Sequence, residues 1–310
     1  MRSAAVLQIG IRLAWRNAIL AMALLVFVVG AANAASRVPY GQGLLWKIEH
    51  PGVAPSYVFG TMHVNDPRVR TLPAPVRSAF NHAERTVYEI VITPDARKQL
   101  TEARYLPEGR TLDEILGSQL FDDVATRAEK AGISRDRLRR IKPWAVAGAL
   151  HFRQGEIVRS YMGELPLDQW MQTDSLSRGA PVLELETVQE HIDVFDDMAE
   201  ADQIALLRSI VENNRQTDED IEEMTQRYVA RDVGAIYAAF QEEIEADETG
   251  FARKFALRLI DDRNHNMVAR MQDLLRQGGT FIAVGALHLP GDQGILRLLQ
   301  RQGYSIVRVY

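Results

Sequence analysis

The chain has 310 residues, 25% of them charged and 46% hydrophobic, a globular composition that excludes wholesale disorder and fibrous repeats. It has no cysteine, so disulfides, thiolate zinc sites, iron–sulfur clusters and cysteine nucleophiles are excluded, and any metal must be held by His, Asp or Glu. A formal charge of −5 argues against nucleic acid as the main partner.

In chain order, Arg2, Arg12 and Arg16 flank and precede an apolar run over 18–30, which ends at the small-x-small signature Ala32-Asn33-Ala34. This order predicts a cleaved secretory signal over 1–34. Removing it leaves 33 basic against 41 acidic residues, a charge of −8. The run is shorter than the ~20 residues that span a bilayer, so no stable membrane span is expected after cleavage. An exported protein without cysteine suits a bacterial periplasm or secretion. Next, 44–49 (LLWKIE) and 57–60 (YVFG) read as strands joined by a Pro/Gly turn. A proline-opened helix is expected over 73–83 and a β-branched strand over 86–92 (TVYEIVI). The stretch 94–278 is helical in pattern, broken by a strand at 180–186 (APVLELE). Acidic stretches at 193–202 and 217–223 read as solvated helix faces. The chain closes with strand 280–284 (TFIAV), helix 291–302 and strand 304–310 (YSIVRVY). The expected fold is mixed α/β in a single domain over 35–310. Its central mixed sheet is built from the two chain ends, with a large, mostly helical insertion over 94–278.

The two ends repeat one pattern. Tyr57-Val-Phe-Gly60-Thr61-Met62-His63 and Phe281-Ile-Ala-Val-Gly285-Ala286-Leu287-His288 each read strand, G-x-x-H, loop, helix, strand. Each is a βαβ-like unit, whose strands run parallel. Sites in parallel sheets form beyond the carboxyl ends of strands, which is where both histidines fall. They can therefore converge although 225 positions apart. Glycine in each motif permits a sharp turn or leaves room for a neighbour. Glu89 is an acid inside an apolar strand, and a buried carboxylate is costly unless paired or metal-bound. His63, His288 and Glu89 thus make a candidate site for a divalent ion that activates water. His50 reads as a turn residue, and His82, His151, His191 and His265 as surface or packing residues of helices. There is no dinucleotide fingerprint, P-loop or G-x-S-x-G elbow.

These motifs, with Tyr88-Glu89, Gly291, Gly294, Leu298 and Gly303-Tyr304, resemble the TraB/GumN family, over 44–310. That family is similar to the Tiki metalloproteases and to the erythromycin-esterase-like fold. Arg263-Asn264 resembles its R-N motif, Leu185-Glu186-Thr187 its L-E-T segment, and Asp168 its acid before a helix. The segment after L-E-T departs from the family, with Glu190-His191 where Glu-Gln is usual. The resemblance implies a metal-dependent hydrolase of peptide bonds, with Mn²⁺ or Co²⁺ favoured and Zn²⁺ admissible. It also admits a metal-free His/Glu esterase-type hydrolase and a non-catalytic peptide-binding protein. The partner is then a peptide or small-molecule substrate. In such a site His63 and His288 are ligands, and Glu89 is a third ligand or the general base. Arg263 steadies an oxyanion or substrate carboxylate, or pairs with Glu186 or Glu89. Asn264 donates to the same oxyanion or caps a turn. Glu186 enters the cleft or sits at a helix start. Asp66 orients His63 or stabilises the turn.

Overall fold

A computed structural model describes residues 38–150, 163–212 and 217–310. The expected leader and His151 lie outside the described residues. The chain divides into two compact units. The sheet unit holds residues 38–91, 165–187 and 220–310, and a helical unit holds 92–150, 163–164, 188–212 and 217–219. The helical stretch expected over 94–278 is therefore shared out. Its segments 165–187 and 220–278 return to the sheet unit.

The sheet has six strands: β1 (Leu45–Glu49), β2 (Ser56–Thr61), β3 (Arg85–Tyr88), β4 (Val182–Glu184), β5 (Thr280–Gly285) and β6 (Ser305–Arg308). Their order is β4-β3-β5-β2-β1-β6. β1 pairs antiparallel with β2, the expected hairpin, and with β6 on its other side. β4, β3, β5 and β2 are successive parallel neighbours. The mixed sheet expected from the sequence is present. Its two crossover units are interleaved, because β5 lies between β2 and β3, and β2 and β1 lie between β5 and β6. In register, Gly60 stands opposite Val284 and Thr61 opposite Gly285, which brings the two motifs side by side.

Burial explains the strand sequences. β5 is buried at all six positions and β2 at all but one, as for central parallel strands covered on both faces. On one face Phe281 packs against Phe59 and Phe80, the latter from the helix Ala74–His82. Each such ring contributes roughly 1.5–3 kcal/mol by leaving water. On the other face Val58, Ile282 and Val284 join Met267, Val268 and Met271 of the helix Asp262–Gln277, and Ile295 and Leu299 of the helix Ile295–Arg301. β3 ends at Tyr88, earlier than the expected strand over 86–92, so Glu89 lies one residue past the strand and not inside it. The reason is hydrogen bonding: the Glu89 carbonyl accepts from the N–H groups of Leu185 and Glu186, at 3.2 and 2.8 Å, which turns the chain there.

Within the helical unit, Trp144 stacks on Phe195 at 5.7 Å and donates its indole N–H to Asp196 at 2.9 Å. Lys142 Nζ reaches the same carboxylate at 2.6 Å. Asp196 belongs to a stretch read as a solvated face, but it is anchored by this pair of donors. His191, read as a surface or packing residue, is buried on the helix Val188–Asp196.

Candidate functional site

Four neighbouring parallel strands each deliver one side chain just beyond the carboxyl end. His63 lies two residues past β2, His288 three past β5, Glu89 one past β3 and Glu186 two past β4. All four are buried. Asp168 comes from the first turn of the helix Leu167–Ser177, and Arg263 and Asn264 from the first turn of Asp262–Gln277. All seven belong to the sheet unit.

The two motif glycines are required by close packing. Gly285 has φ −55°, open to any residue. A Cβ there would lie 3.3 Å from Glu89 Oε1, 3.4 Å from the His288 ring and 3.7 Å from His63 Nε2. The missing side chain therefore marks the point on which the three residues converge. A Cβ on Gly60 would meet Leu289 Cδ1 at 2.8 Å and Ala286 Cα at 3.0 Å, so the first motif seats against the second. Of the two roles open to glycine, room for a neighbour is the one these positions serve.

Each histidine turns Nδ1 to an oxygen. His288 Nδ1 donates to Asn264 Oδ1 at 2.7 Å, and Asn264 Nδ2 donates to the Gln293 carbonyl at 2.8 Å. His63 Nδ1 stands 3.1 Å from Asp168 Oδ1, too oblique for a linear hydrogen bond, so that contact is Coulombic. His288 Nε2 is then left as an acceptor, and His63 Nε2 is shut from solvent without a partner. His288 Nε2 is 3.8 Å from Glu89 Oε1 and 3.3 Å from Arg263 Nη1.

Arg263 holds the carboxylates. Its Nε and Nη2 donate to the two oxygens of Glu186 at 2.8 and 2.6 Å, and Nη2 also donates to Glu89 Oε2 at 2.7 Å. Nη1 donates to the Leu259 carbonyl at 3.1 Å. Leu259 lies in a π-helical turn, Leu257–Asp261, which leads directly into the helix carrying Arg263. Such turns are frequent at functional sites. The arginine thus makes the expected ion pair with Glu186 and Glu89 together. No N–H remains for a substrate oxygen in this arrangement. Glu89 Oε1 accepts the Gly285 N–H at 2.6 Å, so both its oxygens are held.

The charges follow from these contacts. Burial pushes the Glu89 carboxyl up, but the Arg263 guanidinium, the two imidazoles and the Gly285 N–H outweigh it and hold it well below the usual carboxylate range. Burial and the Arg263 charge push His288 down to about 4, so its ring is neutral at pH 7. Burial opposes protonation of His63 as well, yet Asp168 and then Glu89 raise its pKa above the ordinary value. Asp66 does not orient His63. It caps the single turn Pro67–Arg70, accepting from the Arg68 N–H at 2.9 Å, and pairs with the Arg68 guanidinium. Thr61 and Met62 are buried, as expected of packing residues.

The residues fit a divalent ion. The His288 imidazole, its Nδ1 held by Asn264, turns its Nε2 inward as metal-binding histidines do, and His63 adds an Nε2 without a partner. Glu89 supplies an oxygen beside them, and the carboxylates of Glu89 and Glu186 approach within 4.8 Å of each other. Two buried carboxylates, Glu89 and Glu186, share the one guanidinium of Arg263, and Asp168 faces His63. Two such carboxylates against one guanidinium leave a negative charge beside the histidines, and a buried charge is costly unless balanced. The sequence had suggested Asp168 by family resemblance alone. Its role as counter-charge, and that of Asn264 as acceptor, depend on ring orientation.

The TraB/PrgY/gumN family profile matches residues 44–308. The chain is 26% identical to "Metalloprotease TIKI1" of Xenopus tropicalis over 321 residues, 85% of this chain and 61% of that protein. It is 24% identical to "Metalloprotease TIKI homolog" of Amphimedon queenslandica, over 86% of this chain and 61% of that one. With "Metalloprotease TIKI1" of Homo sapiens identity is 25%, over 89% and 64%. The chain thus spans about three-fifths of the length of these relatives. No solved structure matches it. With the profile covering both G-x-x-H motifs and the strands that bring them together, the chain belongs to the TraB/PrgY/gumN family.

Proposed function

We propose that the protein is a divalent-metal-dependent hydrolase of peptide bonds, with His63, His288 and Glu89 as the residues that hold the ion. The observation that carries this reading is the pair of inward-facing Nε2 atoms beside Glu89, around the space left open at Gly285. The metalloprotease names of the TIKI relatives support it. A divalent ion there would supply a Lewis acid that polarises a carbonyl and acidifies water. Asn264 holds the His288 ring in the required tautomer, and Asp168 faces Nδ1 of His63. Arg263, itself held by Glu186, fixes Glu89 Oε2, and Oε1, which accepts the Gly285 N–H, is the oxygen on the side of His288. Elemental analysis of the purified protein tests the reading. Near-stoichiometric Mn, Co, Zn or Fe in the wild type, lost in His288→Ala together with peptidase activity, is the expected result. No metal in either, after incubation with Mn²⁺ and Co²⁺, overturns it.

A second reading rests on one observation: Arg263 already places its charge 3.3 Å from His288 Nε2. In a metal-free hydrolase the unpartnered His63 Nε2 serves as base. Activity on esters that survives chelation supports that reading instead.

We also propose export through a leader over 1–34. Mass spectrometry of the protein from the periplasmic fraction should find a mature N-terminus near Ala35. A full-length chain in the cytoplasmic fraction alone would refute it. Among the described residues no helix is long and apolar enough to cross a membrane.

A further inference from the structure

Among the described residues of the helical unit, one buried cation has no acid beside it. Arg104 follows the helix Pro94–Glu102 and is 4% exposed. A short clasp fixes it: the Lys142 N–H donates to the Arg104 carbonyl and the Leu106 N–H to that of Arg140, both at 2.8 Å, about the bridge Tyr105–Ile141. Several neighbouring cations have acids. Lys142 holds Asp196, Arg139 pairs with Asp113 at 3.1 Å, and Arg135 with Asp122 at 2.7 Å. Among the described residues the Arg104 side chain makes no hydrogen bond or ion pair, and its Nε is shut from solvent without a partner. Burial pushes its guanidinium down to about 10, against the pull of Tyr105 and with the repulsion of Arg137. Exposed Arg140 lies 5.8 Å over the Tyr105 ring beside it.

We propose that Arg104 is the seat of a small oxyanion, a carboxylate or a phosphate. A buried guanidinium without an acceptor is costly, and its planar fork matches two oxygens of such a group. A bound oxyanion would supply the acceptors that the chain does not. The proposal is independent of the hydrolase reading, since none of the residues given roles there takes part.

The test is thermal unfolding of the full chain in inorganic phosphate and in succinate, against sodium chloride of equal ionic strength. The wild type is expected to show a saturable rise in Tm with one of the two, and the anion with the lower half-saturation names the class. Arg104→Met should abolish the rise. Arg104→Lys, which keeps the charge but loses the fork, should raise half-saturation tenfold or more, and it decides alone if the methionine variant does not fold. No saturable rise in the wild type overturns the proposal. So does a rise unchanged in either variant.

Discussion

Arg263 engages all five of its N–H groups inside the protein, on two carboxylates, one carbonyl and one imidazole. Its removal would leave Glu89 and Glu186 buried side by side without their counter-charge. Arg263→Met should therefore lose about 3–5 kcal/mol of stability, as for a broken buried ion pair. Guanidinium chloride unfolding measures it, and a loss below about 1 kcal/mol would refute the structural weight given to this residue. The sequence offered the pairing of Arg263 with Glu186 or Glu89 as one of two roles. What it could not offer was that a single guanidinium reaches both, because residues 77 and 174 positions away meet only through strand order. The orientation of each imidazole was equally hidden. A ring's tautomer depends on which oxygen stands beside Nδ1, and Asn264 and Asp168 reach those places from two different helices.

Among the elements, the four parallel strands matter most, since each ends where a site residue begins. The hydrophobic runs and the G-x-x-H motifs made β2 and β5 legible, and the hairpin β1–β2 too. The extent of β3 was misjudged, because TVYEIVI is apolar and β-branched on both sides of Glu89, while the strand stops where Leu185 and Glu186 claim the Glu89 carbonyl. The two motif glycines make opposite predictions. In Gly285→Ala the added methyl group enters the space between Glu89, His288 and His63, with no backbone strain. Metal content should fall while Tm moves by only a few degrees. In Gly60→Ala the methyl group strikes the backbone of Ala286, so stability should drop by about 1–3 kcal/mol. Metal analysis and thermal unfolding of both variants check this, and a Gly285→Ala protein with full metal content would count against the site.

At the scale of the whole molecule, two carboxyls pull the pH dependence of folding in opposite directions. Glu89 is held below its usual 4.5, so its contribution is present above that pH and lost as pH falls through the folded value. Glu243, half-buried on the helix Val233–Ala246 and near the charge of Asp220, is pushed up to about 8. Folding then takes up a proton between about pH 4.5 and 8, and stability falls as pH rises through that window. Glu243→Gln should match the wild type near pH 4.5 and gain in Tm relative to it up to about pH 8, with a plateau beyond. Thermal unfolding across this range measures the gap. A gap independent of pH would show that Glu243 titrates normally.

By itself the sequence determined the residue types that can do chemistry, the elements that carry both histidines, the mixed α/β class and the family resemblance. These follow from local periodicity and short motifs, which act over a few residues. Only the tertiary structure decided that β5 lies between β2 and β3, and that the middle of the chain returns to the sheet with β4. It likewise decided that Arg263, Asn264, Asp168 and Glu186 close around the histidines. Strand order and buried charge pairing join residues far apart in sequence, and their energy depends on distances that exist only once the chain has folded.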